Sequence, residues 1–316
     1  MRTDRLSQEN RRSQGIERRR WYETHSPEHL ASIERLIRFA LRLTESVARR
    51  SAVVLGAGAC TELPLELLTH ACAEVVLVDL DHDGMAGAQA ALPASLRRRV
   101  RTVTADVTGN VSSRLAELLA DQPWHDLKTL GDKAVLDGAA QCLTSCHVPA
   151  PPELPATIGG PFQLVISSLV VTQLFNLPLL DVVDTLTQVA PHVVPYRYTH
   201  RAFTRASDAF KRRIAQAHLD LITSLLDPAG VGVLVSDVAG VVTTLTSGRH
   251  EPQHETLHVL PAHVLDFRRD LPAQCDILDG PQRWRWIVTV PERTAPGQSY
   301  DVNGVVFRPR HRAEVG

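Results

Sequence analysis

A glycine-rich turn stands where a short apolar run meets a helical one. Residues 53–62 read VVLGAGACTE. Glycines let backbone amides approach a ligand closely, and a helix N-terminus favours negative charge, so the pattern is typical of a nucleotide-binding turn. The motif alone leaves open a tight turn with a purely structural role.

Two carboxylates follow the next two apolar runs. Asp79 ends the segment VVLVD, 21 positions after Gly58, and Asp106 follows the segment TVTA. At the carboxyl end of a strand, one acid can accept hydrogen bonds from the ribose hydroxyls, and another can accept a hydrogen bond from an adenine amino group. Each acid alone is more often a helix cap, but their placement after successive strands favours a ligand site.

An alternation of strands and helices would bring these residues to one edge of a sheet. The pattern predicts strands at 52–55, 74–78, 99–105, 162–167 and 231–235, with helices between them. Parallel neighbours need crossover helices, so the fold class is α/β with a doubly wound, mainly parallel sheet. An antiparallel pair at 284–290 and 302–307 is expected to close it.

We expect residues 1–50 to form an Arg-rich arm and a helix, with Ser26 as N-cap and Pro27 at the first helical position. Residues 51–316 would form the main domain. Within it, residues 122–160 contain several prolines and a Gly-Gly pair, which indicates an insertion or lid.

Composition is that of an ordinary soluble globular protein. The 34 basic and 35 acidic residues balance, and 44% of residues are apolar. Five cysteines in a chain of this size favour a reducing cytoplasm over a disulfide-stapled secreted scaffold. The most apolar stretch, residues 162–183, is interrupted by polar side chains, so no membrane span is predicted.

Over roughly residues 30–245 the sequence resembles class I S-adenosylmethionine (SAM)-dependent methyltransferases. The matching segments are VVLGAGACTEL, VVLVDLD, TVTADVT, FQLVISSLVV and LLDPAGVGVLVSDV. The first is similar to the corresponding motif of an uncharacterised bacterial branch, in which LGAG is followed by a small residue, Cys and a polar residue. The resemblance implies a Rossmann-like, seven-stranded sheet with an antiparallel C-terminal strand, and SAM as cofactor.

The resemblance also implies roles for single residues. It places Gly56, Ala57 and Gly58 at the methionine end of the cofactor and Asp79 at the ribose. It places Asp106 and Val107 at the adenine, and Ser167 and Ser168 facing the methyl group. Leu55 stands where the family often carries an acid near the methionine ammonium group, and Glu62 is the candidate replacement.

Methyl transfer needs alignment of a nucleophile and, for some acceptors, removal of its proton. We expect the acceptor to be a small molecule, with a nucleic acid or a protein as the alternative. Catalytic candidates are Ser168 and His200, since an imidazole titrates near neutral pH. Further polar candidates are Gln173, Tyr198, Tyr22 and His25.

Other functions compete with this hypothesis. An NAD(P)-dependent oxidoreductase shares the glycine turn and the acid after the second strand, but the chain has no Tyr-x-x-x-Lys pair. A non-catalytic Rossmann-like interaction protein is the other alternative, since fold does not determine function. The Arg-rich arm could bind RNA, although the absence of a basic excess elsewhere favours a solvated arm or a flap over the site.

Two motifs resemble metal sites. Residues 250–254, HEPQH, match a zinc-protease signature, but Pro252 interrupts the helix that the signature requires. Cys142, Cys146 and His147 lack a second ligand pair at the expected spacing. No metal site is therefore predicted.

Overall fold

The computed structural model describes residues 16–45, 47, 49–245, 253–257, 259–292 and 295–310. Its helices are α1 (Ile16–His25), α2 (Pro27–Leu43), α3 (Leu65–Ala71), α4 (His82–Ala91), α5 (Ala94–Arg97), α6 (Val111–Ala120), α7 (Trp124–Leu130), α8 (Asp132–Ser145), α9 (Val171–Val189) and α10 (Arg201–Leu225). Its strands are β1 (Ser51–Leu55), β2 (Glu74–Asp79), β3 (Val100–Thr104), β4 (Phe162–Ser168), β5 (Leu226–Thr244), β6 (Gln253–Leu257), β7 (Cys275–Thr289) and β8 (Gly297–Pro309).

The strands form one sheet in the order β3-β2-β1-β4-β5-β8-β7, and β6 pairs with β5 outside this path. Strands β1 to β5 run parallel, whereas β8 runs antiparallel to both β5 and β7. The predicted fold class is confirmed, including the seven strands of the main path and the antiparallel C-terminal strand. Strand β6 is an addition that the sequence pattern did not indicate.

Continuous apolar runs explain why the central strands are buried on both faces. Along β1, Val53 faces the core beneath α6, α8, α9 and α10, and Val54 faces the core beneath α2, α3 and α4. Successive side chains of a strand point to opposite faces, so each strand divides its residues between these two cores. We call them the α10 face and the α2 face.

The N-terminal part of the described chain is more ordered than the arm that was expected. Residues 16–25 form α1, and the side chain of Tyr22 is fully buried. Pro27 opens α2 as predicted, but Ser26 makes no side-chain capping bond; its hydroxyl accepts the backbone N–H of Ile287 in β7 at 3.0 Å. The hydroxyl therefore joins the start of α2 to the sheet. Residues 1–15 lie outside the described part.

The stretch from 122 to 160 contributes no strand, but much of it is not loop. Helices α7 and α8 occupy residues 124–145, and one side of α8 is buried on the α10 face. Proline-rich chain follows only after α8. The composition that suggested a lid therefore applies to the second half of the segment alone.

Strand β5 is much longer than the predicted 231–235. Beyond Val235 it leaves β4 and continues by pairing with β8 on one side and with β6 on the other. The register of the β5–β8 pair shifts between Asp237 and Ala239. Irregularities of this kind re-aim side chains, and this one lies at the carboxyl end of the parallel sheet. No helix of the described chain is long and apolar enough to cross a membrane.

Candidate functional site

The glycine turn after β1 is packed closely against the loop after β4. Gly56 has a φ of +69°, and a Cβ atom there would lie 2.4 Å from Cγ2 of Val170. Gly58 also has a positive φ, of +45°. An L-side chain would be strained at either position, so glycine is required here by both backbone conformation and space.

Asp79, at the end of β2, holds the glycine turn in place. One carboxylate oxygen accepts the backbone N–H of Gly58 at 2.9 Å, and the other accepts that of Asp81 at 2.8 Å. Burial raises the pKa of Asp79, and these hydrogen bonds lower it in part. Each carboxylate oxygen can accept more than one hydrogen bond, so capacity for a ligand remains.

Asp106 lies two residues beyond β3. Its Oδ1 atom accepts both the backbone N–H of Thr108 at 2.8 Å and the hydroxyl of Thr108 at 2.7 Å. No protein donor to the other oxygen is found among the residues that the structure describes. Val107, next to it, is buried on the α10 face.

The two serines at the end of β4 point to opposite faces of the sheet. Ser167 is fully buried on the α10 face, where its hydroxyl lies 2.8 Å from Nε2 of His218. Ser168 follows Leu164 and Ile166 on the α2 face, and its buried hydroxyl has no hydrogen-bond partner in the described chain. Because strand side chains alternate, these hydroxyls cannot both face one methyl group.

Backbone strain is concentrated in the loops at this edge. Within the described ranges, the non-glycine residues with positive φ are Cys60 at 51°, Asn110 at 67° and Leu169 at 58°. They lie after β1, β3 and β4. Such conformations carry an energetic penalty and cluster at functional sites, so they mark the carboxyl edge of the sheet independently of the motifs.

Helix α1 covers the chain that follows the glycine turn. The Arg19 guanidinium donates to the carbonyl oxygens of Thr61 at 3.3 Å and Leu63 at 3.0 Å. Between these two carbonyls lies Glu62, whose pKa is raised by burial and lowered in part by Arg18 and Arg19. These two arginines are thus engaged within the protein, which supports the flap interpretation of the arm.

Helix α10 begins beside another predicted residue, His200. Its Nδ1 accepts the backbone N–H of Phe203 at 3.3 Å, and Nε2 lies 3.4 Å from a carboxylate oxygen of Asp137 in α8. The imidazole therefore caps α10 and contacts the insertion. Its role as a base stays a prediction.

The remaining polar candidates have local roles. Gln173 donates to the Leu169 carbonyl at 2.8 Å. Tyr22 accepts from Arg18 at 2.8 Å, His25 stacks on Trp21, and Tyr198 is 73% exposed.

One acid at the edge was not singled out from the sequence. Asp237 lies two residues beyond Val235, the last residue of β5 that pairs with β4. It is 8% exposed, and its Oδ1 accepts the hydroxyl of Thr172 at 2.7 Å. The segment LVSDV resembles VVLVD and TVTAD in placing an acid after an apolar strand, and that pattern could have identified it.

Within the described part of the chain, no group of three or more His, Cys, Asp or Glu residues could hold a metal ion. His254 lies in β6, a strand rather than a helix, and residues 250–252 are outside the described part. Cys142 and Cys146 are buried thiols that face backbone carbonyls.

A cavity of about 330 Å³ lies apart from these residues. Val238, Leu260, Phe267, Arg268 and Asn303 are among its lining residues. Val238 packs on the α10 face, opposite Asp237. The cavity touches neither the glycine turn nor Asp79 or Asp106, so it does not define the candidate site.

Comparison with known proteins gives structural neighbours only. No family model and no curated protein matches the chain. Solved structures similar to it include the glycopeptide N-methyltransferase MtfA complexed with SAM (13% identity, 84% of this chain and 92% of that chain, TM-score 0.34). Another is the N-methyltransferase NodS from Bradyrhizobium japonicum WM9 (11% identity, 90% of this chain and 98% of that chain, TM-score 0.36). A third is the O-methyltransferase TomG from Streptomyces achromogenes (12% identity, 90% of this chain and 80% of that chain, TM-score 0.34). Similarity at this level carries no argument about activity, so the function is argued from the site itself.

Proposed function

We propose that this protein is a SAM-dependent methyltransferase acting on a small-molecule acceptor. The observation that carries the proposal is the convergence, at the carboxyl edge of one mainly parallel sheet, of the glycine turn after β1 and single acids after β2 and β3. Ligands of open α/β sheets bind at this edge. The sequence segments that resemble the methyltransferase family are the ones that meet there.

The residues present fit the cofactor. Asp79 retains acceptor capacity for ribose hydroxyls, and one Asp106 oxygen, which has no protein donor among the described residues, can accept from an adenine amino group. Glu62 is the candidate partner of the methionine ammonium group, whose positive charge would offset the rise in pKa that burial causes at this carboxyl group.

When bound, SAM supplies a methyl group on a positively charged sulfur. The contribution of the chain is to hold the acceptor nucleophile in line and to exclude water. Of the two catalytic candidates, Ser168 supports the proposal better than His200, because its hydroxyl is on the α2 face with Asp79 and has no protein partner among the described residues. The balanced charge of the chain supports a small-molecule acceptor over a nucleic acid.

Calorimetric titration with S-adenosylhomocysteine tests the proposal. We expect binding by the wild-type protein and a loss of about tenfold or more in affinity for Asp79→Ala and Asp106→Ala, since hydrogen bonds to charged groups are worth about 1.5–3 kcal/mol. Asp121→Ala, which removes an exposed acid after α6, is the matched control and should bind like wild type.

NADH is titrated in parallel. Binding of NADH without S-adenosylhomocysteine would favour the oxidoreductase. Binding of neither would favour the non-catalytic interaction protein. Equal affinities in all variants would show that the nucleotide sits elsewhere.

A further inference from the structure

Asp237 is a nearly buried carboxyl group whose pKa is raised by burial, and no cation of the described chain offsets that rise. Its 2.7 Å hydrogen bond comes from the neutral hydroxyl of Thr172, and no Arg, Lys or His of the described chain forms an ion pair with it. A buried charge normally has a partner of opposite sign. A cation supplied by a ligand would complete this site.

Aromatic side chains lie on the same side of the sheet. Val233, Val235 and Val302 all face the α2 core, and Asp237 continues that row of β5 opposite Val302 of β8. Tyr300 packs against the same core and pairs with Trp286, whose ring centroid lies 5.5 Å from its own. Tyr300 lies two positions before Val302 on β8, so its side chain is on the same face of the sheet as Asp237. In agreement, burial and then the charge of Asp237 raise the pKa of Tyr300.

Among the described residues, the basic side chains considered next to these aromatic rings are neutral or already paired. The imidazole stacked on Trp286 at 5.0 Å is that of His29, and burial lowers the pKa of His29 to about 3, so it is neutral. Arg283 and Arg285 alternate with the tryptophans along β7, and both form ion pairs with Asp301. Aromatic faces and a carboxylate together are the groups that proteins use to recognise ammonium ions.

We propose that Asp237, with Tyr300 and Trp286 beside it, binds the ammonium group of the acceptor, so that this chain methylates an amine nitrogen. The inference rests on the proposed methyltransferase function. Ser168 at the end of β4 pairs with Val235, and Asp237 lies two positions beyond Val235 on the same α2 face. Asp237 is therefore beside the edge of the sheet that carries the residues assigned to the cofactor.

The chemistry balances with these groups alone. Asp237 takes one proton from the acceptor ammonium group, which leaves a lone pair on nitrogen. That pair forms the new N–C bond while the S–C bond of SAM breaks and its electrons stay on sulfur. The positive charge thus passes from sulfur to nitrogen, and the proton on Asp237 returns to solvent.

The test uses the full chain saturated with S-adenosylhomocysteine and two probes of similar shape, phenethylammonium chloride and 2-phenylethanol. Calorimetric titration should show the ammonium probe binding about tenfold or more tightly than the alcohol, the scale expected when a buried carboxylate meets a cation. Asp237→Asn retains an acceptor for Thr172 and should abolish that preference. Asp276→Asn, which removes a surface acid paired with Arg310, is the charge-matched control and should keep it.

Affinity for S-adenosylhomocysteine separates this inference from the proposed function. Wild-type affinity in Asp237→Asn, together with loss of the ammonium preference, supports an acceptor site. A tenfold loss of affinity for S-adenosylhomocysteine in Asp237→Asn would assign Asp237 to the cofactor ammonium group and overturn the inference. Equal binding of the two probes, or no binding of the ammonium probe, would overturn it too, whereas failure of the wild type to bind S-adenosylhomocysteine would reject the methyltransferase itself.

Discussion

The Ser167 hydroxyl on β4 and Nε2 of His218 on α10 lie 2.8 Å apart in the protein interior. Ser167 is fully buried and His218 is 1% exposed. Burial lowers the pKa of His218 to about 4, so the imidazole is neutral at pH 7. His218 also lines, with Val107 and Thr108, a narrow internal space behind Asp106. The pair therefore connects the centre of the sheet to the helix behind the candidate site.

The neutral His218 predicts an acid-sensitive fold. The unfolded chain protonates this imidazole near pH 6.5 and the folded chain only near 4, so between these values the unfolded state holds more protons. The free energy of unfolding should therefore fall as the pH is lowered through this interval, by about 3 kcal/mol from this group. Urea unfolding across the interval should show a shallower pH dependence in His218→Gln, where His29 still titrates. Identical slopes would contradict the prediction.

Gly56→Ala should damage both the fold and the site. The new methyl group would meet Val170 at 2.4 Å in a backbone conformation with a φ of +69°, which we expect to destabilise the protein by about 1–3 kcal/mol. Thermal unfolding and titration with S-adenosylhomocysteine measure the two effects. Gly87→Ala is the control, because a Cβ atom in that part of α4 meets nothing within 4 Å; it should be neutral or stabilising by up to about 1 kcal/mol. Similar melting temperatures for both variants would refute the packing argument.

Arg19→Ala should loosen α1. Its two hydrogen bonds to the chain after the glycine turn are partly exposed. We expect their loss to weaken the docking of α1 by about 1 kcal/mol, which raises the equilibrium constant for local opening of α1 roughly fivefold. Hydrogen exchange of the α1 amides reads this directly, with Arg20→Ala as the exposed neighbour that should change nothing. If Arg19→Ala exchanges like wild type, α1 is held by its aromatic contacts instead.

The cysteines should be unreactive in the folded protein. All five are free and buried, and burial raises the pKa of each thiol, to about 11 for Cys72, Cys142 and Cys275. Because the thiolate is the reactive form, Ellman's reagent should detect essentially no thiol before denaturation and five after it. A thiol that reacts rapidly under native conditions would show that its surroundings open.

Much of the architecture could be predicted from short segments of the sequence. The apolar runs of β1, β2 and β4 and the glycine turn are signals contained within about ten residues, and each appears where it was expected. The length of β5 was not predicted, because its second half is stabilised by pairing with β8. Asp237, for example, pairs with Val302, which lies 65 positions later in the chain (302 − 237). Strand ends that depend on distant partners leave no mark in their own sequence.

The sequence by itself determined that acids follow successive strands and that a glycine turn precedes a helix, because strand and turn preferences depend on neighbouring residues. Only the tertiary structure decided that Ser167 faces α10 while Ser168 faces α2. It also decided that α1 covers the chain after the glycine turn, and that Asp237 accepts a hydrogen bond from Thr172 and shares a face of the sheet with Tyr300. The physical reason is that these relations depend on which face of the sheet each core covers and on contacts between segments far apart in the chain, where packing and burial rather than local propensity select the arrangement.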